Sequence, residues 1–134
     1  MDGEHKLNIL LIQDVLIKPT NAKSILSKFG QVTEINDGLD SINKFSESSY
    51  KNIEYDVVFV DLVLPRLSGI DVVKKMRRFE DKRDSNKRAV IIMVTIQGNN
   101  INTDELIAVG ADKVFVKPIT YEMVDEYFKE IKLI

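Results

Sequence analysis

The sequence predicts an α/β fold, a doubly wound five-stranded parallel sheet with helices on both faces. Two observations carry it. Short apolar runs rich in β-branched residues alternate five times with segments whose apolar residues recur at helical spacing. The central run has no polar face, as a strand covered on both sides requires. The 134 residues are enough for one domain with a real core, and we expect 1–134 to form one unit with its core at about 7–131.

Leu7 to Ile12 reads as a buried first strand, ending at the polar pair Gln13-Asp14. Pro19 suits a first helical turn, and Ala22, Ile25, Leu26 and Phe29 continue a helix that Gly30 stops. Gln31 to Asn36 alternates weakly and reads as a strand near a sheet edge. After the Asp37-Gly38 turn, Leu39, Ile42 and Phe45 mark a second helix, and Ser46 to Asn52 reads as a polar loop. Asp56 to Val60 is the central strand, closed by Asp61, with Pro65 and Gly69 punctuating the loop beyond it. A third helix from Ile70 carries Val73 and Met76. Phe79 to Arg88 reads as a charged loop, either a solvated connection or a docking patch. Ala89 to Thr95 is a fourth buried strand, followed by a Gly98-Asn99-Asn100 loop. Thr103 is expected to cap a helix bearing Leu106, Ile107 and Val109, which Gly110 stops. Lys113 to Val116 is a short fifth strand running into Lys117-Pro118. Thr120 caps a last helix with Tyr121, Val124, Phe128 and Ile131 on one stripe.

Composition narrows the function classes. Net charge is −2 with dispersed Lys and Arg, which is no nucleic-acid footprint. The absence of cysteine excludes disulfides, thiolate metal sites and a Cys nucleophile. No run approaches the roughly 20 apolar residues that span a bilayer, and MDGEHK is no signal peptide. A cytoplasmic location is expected. His5, the only histidine, lies in that polar segment and reads as solvated and inert.

Right-handed crossovers bring the carboxyl ends of parallel strands to one edge, where ligands of open α/β sheets bind. The polar residues at those ends are Gln13, Asp14, Asp61, Thr95 and Lys117. Local propensity alone would leave Asp61 as a turn cap; the coincidence of polar residues at four strand ends points to a site. Two adjacent carboxylates stay ionised together if a cation lies between them. Oxygen ligands suit Mg²⁺, which pairs with phosphate oxygens. A lysine and a hydroxyl complete the parts needed for phosphoryl transfer to an aspartate nucleophile.

On these residues the chain resembles the response-regulator receiver domains of two-component and phosphorelay systems, over about Leu7 to Ile131. The matching marks are Asp14, Asp61 with Pro65 and Gly69, Thr95, Gly110-Ala111-Asp112 and Lys117-Pro118. The resemblance implies a flavodoxin-like fold with strand order 2-1-3-4-5. It implies Asp61 as phosphoacceptor rather than a classical enzyme centre. Asp14, Asp61 and the main-chain carbonyl of Val63 would bind Mg²⁺, with Gln13 contributing weakly or through water. Thr95 and Lys117 would hold phosphoryl oxygens. The donor would be a histidine kinase or a histidine phosphotransfer protein. A downstream protein would bind the face of the fourth helix, fifth strand and fifth helix. No nucleic-acid or membrane contact is implied, and oligomeric state stays open, dimerisation through the last helices included.

Three departures and two tuning positions qualify this. Gln13 stands where the family usually has an acid, which predicts weaker Mg²⁺ binding than an acid there would give. Val114 replaces the usual Tyr or Phe, and alternation sends Phe115 to the opposite face. Ile96 replaces a small residue, either narrowing the path to Asp61 or packing beneath the fourth helix. Val63 and Gln97 occupy positions that tune dephosphorylation. Two other readings stand beside the switch: a receiver-shaped binding module that does not cycle phosphate, and a flavodoxin-like enzyme or nucleotide binder. The last lacks a Gly-rich phosphate loop after the first strand.

Overall fold

The computed structural model describes residues 7–14, 21–50, 54–82, 87–96 and 102–134. The elements run β1 (Leu7–Ile12), α1 (Ala22–Leu26), β2 (Gly30–Ile35), α2 (Gly38–Tyr50), β3 (Val57–Asp61), α3 (Gly69–Asp81), β4 (Val90–Thr95), α4 (Thr103–Val109), β5 (Lys113–Val116) and α5 (Tyr121–Glu130). All strand pairs are parallel and the sheet order is β2-β1-β3-β4-β5. That is the expected architecture. β3 is central and its Val57 to Val60 are fully buried, whereas β2 is an edge strand with no fully buried residue.

Strand alternation divides the core in two. Leu10, Ile12, Val58, Val60, Ile91 and Met93 face α2, α3 and α4, meeting Phe45, Val73, Met76 and Leu106. Ile9, Leu11, Phe59, Ile92, Val94 and Phe115 face α1 and α5, meeting Leu26, Val124 and Phe128. Val114 packs against the first cluster and Phe115 lies in the second, as period-two alternation requires. Phe59 and Phe128 sit 6.3 Å apart between ring centres in the middle of the second.

Several boundaries differ from the sequence reading, each for a visible reason. The polar run at Ser46 belongs to α2, because Ser48 is buried and its hydroxyl donates to the Phe45 carbonyl at 2.7 Å. α3 continues to Asp81, because Arg77 and Glu80 are buried rather than solvated. α4 is capped by Asn102, not Thr103: its side chain accepts from the Asp104 amide at 2.8 Å. Ile107 is 43% exposed and contributes no core face. Asp56 lies outside β3, with its Oδ2 accepting from the Asn8 amide at 2.7 Å. Pro19, Gly98 and Gln97 fall outside the described residues, as does His5.

The edge at the amino ends of β4 and β5 is tied by one buried guanidinium. Arg77 donates to Glu80 Oε1 (2.7 Å), to the Ala89 and Gly110 carbonyls (2.8 and 2.9 Å) and to Asp112 Oδ2 (2.8 Å). Gly110 has φ +128°, and a Cβ there would stand 2.7 Å from Arg77 Cγ. Glycine is the residue that takes this conformation without strain.

Candidate functional site at the carboxyl ends of the strands

The site is built by register. Val60 pairs with Ile12 and Asp61 with Val94, so Gln13 and Asp14 leave β1 beside the end of β3. Thr95 pairs with Val116, which puts Lys117 one residue past the end of β5. The Lys117 amide donates to the Thr95 carbonyl at 2.7 Å, and the Lys117-Pro118 bond is cis. A side chain on Gly69 would collide with the Asp61 main-chain carbonyl, so glycine lets α3 start directly behind the acid. The Gly69 amide donates to the Leu62 carbonyl at 2.9 Å, closing the loop. Ser68 caps α3 by accepting from the Asp71 amide at 3.2 Å.

Lys117 Nζ donates to Asp61 Oδ2 at 3.0 Å, with the two side chains 31% and 13% exposed. Burial pushes the Asp61 carboxyl above the usual carboxylate value, and Lys117 pulls it back; the charge of Asp14 adds to the upward push. The Thr95 hydroxyl oxygen is buried at the end of the neighbouring strand, with no hydrogen-bond partner among the described residues. Leaving a buried hydroxyl unpaired costs about 1–3 kcal/mol, so the position is poised for an acceptor.

Asp14, Asp61, Thr95 and Lys117 therefore gather at one edge, as the strand-end pattern predicts. Gln13 is also there, only 4% exposed, but its Nε2 donates to Glu34 Oε2 on β2 at 2.9 Å. Val63 and Ile96 follow the ends of β3 and β4 on their loops and are 69% and 61% exposed. Ile96 is thus not packed beneath α4. Among the described residues no group of three or more His, Cys, Asp or Glu side chains converges as a metal cluster. A cation here would rest on two carboxylates and on uncharged oxygens.

Two participants escaped the sequence reading. Glu34 is one. The other is Arg66, in the loop from 62 to 68, which has φ 66° and donates to Asp37 (2.6 and 3.0 Å) and Asp40 (3.2 Å). The bidentate pair holds Arg66 in this left-handed conformation. It ties the loop after Asp61 to the start of α2. The Arg66 guanidinium holds the Asp37 carboxyl below its ordinary value. Asp37-Gly38 signals a turn in the sequence, but nothing local foretells its partner.

Known proteins share this fold. Residues 9–129 match the family described as response regulator receiver domain. A probable histidine kinase 2 of Oryza sativa subsp. indica is 29% identical over 129 residues, covering 89% of this chain and 12% of that protein. The chain thus spans a small part of such relatives. The Ssk1 receiver of Saccharomyces cerevisiae, solved with the histidine phosphotransfer protein Ypd1, is 25% identical with TM-score 0.74, covering 93% of this chain and 88% of that one. The receiver of Pseudomonas aeruginosa sensor kinase PA1611, solved with magnesium in its active site cleft, is 20% identical with TM-score 0.71, covering 93% and 96%. Among the described residues no helix is long and apolar enough to cross a membrane. With the family match running across nearly all the sheet and both of its faces, the chain belongs to the response regulator receiver domains of two-component and phosphorelay signalling.

Proposed function

We propose that the chain accepts a phosphoryl group from a phosphohistidine onto Asp61, with Mg²⁺, and thereby changes which partners it binds. The observation that carries the reading is the 3.0 Å bond from Lys117 to a partly buried Asp61. A carboxylate so placed, with a buried hydroxyl at the end of the neighbouring strand that has no partner among the described residues, is equipped to receive an anionic group. The donor set fits a hard cation: carboxylates of Asp14 and Asp61, the main-chain carbonyl of Val63, and Gln13 through water. Bound Mg²⁺ would offset the mutual repulsion of the acids and the charge of the arriving phosphoryl oxygens.

An Asp61 carboxylate oxygen attacks phosphorus in line. The bond from phosphorus to the imidazole nitrogen breaks, and its electron pair returns to the ring. Lys117 takes a phosphoryl oxygen as a point charge, and the Thr95 hydroxyl donates a hydrogen bond to another. The Ssk1 receiver with Ypd1 supports a histidine phosphotransfer protein as donor, beside a histidine kinase. Ile107, Val116 and Tyr121 are 43%, 46% and 39% exposed on α4, β5 and α5, which supports that face for a downstream protein. Val63 and Ile96 line the entry with apolar surface and offer nothing to orient an attacking water.

Intact-mass spectrometry with a small phosphodonor and Mg²⁺ tests the reading. One phosphoryl adduct on the wild type and none on Asp61→Asn is the expected result. No adduct on the wild type with any donor would leave a receiver-shaped binding module in its place.

A further inference from the structure

The loop from 62 to 68 is held at two places. At its base the Leu62 amide donates to the Val94 carbonyl at 3.0 Å, and the Gly69 amide to the Leu62 carbonyl at 2.9 Å. At its tip the loop meets the turn before α2. The Gly38 amide donates to the Pro65 carbonyl at 3.3 Å, and a Cβ on Gly38 would collide with the Leu67 carbonyl, so the two backbones touch. Arg66 closes the same junction with a side chain: its guanidinium forks onto both oxygens of Asp37 and reaches Asp40.

The far side of this junction is firm. Asp37 Oδ1 also accepts from the Asp40 amide at 3.0 Å, so the carboxylate that grips Arg66 is the one that caps α2. Phe45 roots α2 in the core, and the fully buried Ser41 donates to the Gly38 carbonyl at 2.6 Å. Arg66 itself stands at φ 66°, a conformation uncommon for a residue with a Cβ. Such outliers persist where their surroundings over-determine them, and they cluster at functional sites. The Arg66 side chain is 54% exposed, and an exposed ion pair stabilises a fold little. The use of the fork is therefore geometric: a planar guanidinium on a carboxylate sets direction as well as distance. Val63 lies between base and tip, so both attachments restrict where its main-chain carbonyl can go.

We infer that Arg66 is a positioning residue for the cation site: its fork on Asp37 fixes the loop that carries the Val63 carbonyl. The inference rests on the Mg²⁺-assisted reading above, in which that carbonyl is a ligand. Arg66 acts through the loop and not through its charge, which on its own would repel a cation.

Isothermal titration with Mg²⁺ on the wild type, Arg66→Gly, Arg66→Lys, Asp37→Asn and the Asp37→Asn, Arg66→Lys double variant tests it, with circular dichroism melting to show that each is folded. Arg66→Gly suits the positive φ and removes the fork. It should weaken Mg²⁺ binding by roughly 10-fold, as losing an outer partner of a metal site typically does. Arg66→Lys keeps the charge without the fork and should weaken binding by a smaller factor. Charge alone predicts otherwise: tighter binding by Arg66→Gly and no change in Arg66→Lys. Asp37→Asn keeps an acceptor for the Asp40 amide, and in that background Arg66→Lys should cause no further loss. Wild-type or tighter Mg²⁺ affinity in the folded Arg66→Gly variant, or no Mg²⁺ binding by the folded wild type, would overturn the inference. Phosphoryl adducts are read separately by mass. A wild type that binds Mg²⁺ in this Arg66-dependent way but takes no phosphoryl group would sink the proposed function and leave the inference standing. An adduct on Asp61 with Mg²⁺ affinity indifferent to Arg66 would do the opposite.

Discussion

Asp61 is held at a cost. Burial favours its neutral form, so its folded-state value lies above the ordinary 3.8. Above that raised value the desolvated charge is fully present and weakens the fold. As pH falls through it toward 3.8, protonation relieves the penalty. Asp61→Asn, which keeps an acceptor for Lys117, should therefore melt a few degrees higher than wild type at neutral pH. The difference should close in acid, as differential scanning calorimetry across pH would show. At the rim, Ile96→Ala should change stability by no more than about 0.5 kcal/mol. It should speed adduct formation severalfold in a mass-spectrometric time course, because a branched side chain leaves the approach to Asp61. Asp61 and Lys117 were legible in the sequence because each ends an apolar run, where a charge has no packing reason to be. Glu34 was not: its bond to Gln13 depends on which strand lies next to β1 and at what register.

At the scale of elements, the ends carry the information. Thr120 was readable as a cap because its side chain accepts from the Met123 amide, a local bond of three residues. The end of α2 was unreadable, since serine in a helix looks polar until its hydroxyl is seen to donate to the Phe45 carbonyl. Gly110 was readable as a stop, and the structure adds a second reason for it. Gly110→Ala meets both the φ of +128° and the Arg77 side chain. Urea denaturation should show a loss of about 1–3 kcal/mol. The Arg66 loop was unreadable for the opposite reason: a non-glycine residue at φ 66° is held by Asp37 and Asp40, both distant in sequence.

For the whole molecule, chemistry and anchorage occupy opposite edges of one sheet. The carboxyl edge gathers Asp14, Asp61, Thr95 and Lys117, while Arg77 ties α3, β4 and the loop before β5 at the other. Arg77→Met would leave Glu80, 4% exposed, without its cation. Equilibrium unfolding should show a loss of about 3–5 kcal/mol, and any phosphoryl adduct that the wild type forms under the proposed function should be retained at temperatures where the variant is folded. Sheet order and the two-sided core were legible because run length and alternation are properties of the chain itself. Side-chain knots such as Arg77 with Asp112 arise only once the layers are stacked.

The bond from Lys117 to Asp61 also fixes an order of events under the proposed chemistry. It occupies one of the acid's two oxygens, so a donor must come to the other or push the ammonium aside. An arriving phosphoryl group brings fresh oxygens, onto which the ammonium can step without leaving the pocket. The lysine then behaves as a latch: it keeps the acid shut to chance reactions while idle, and it is already within reach when the cargo lands.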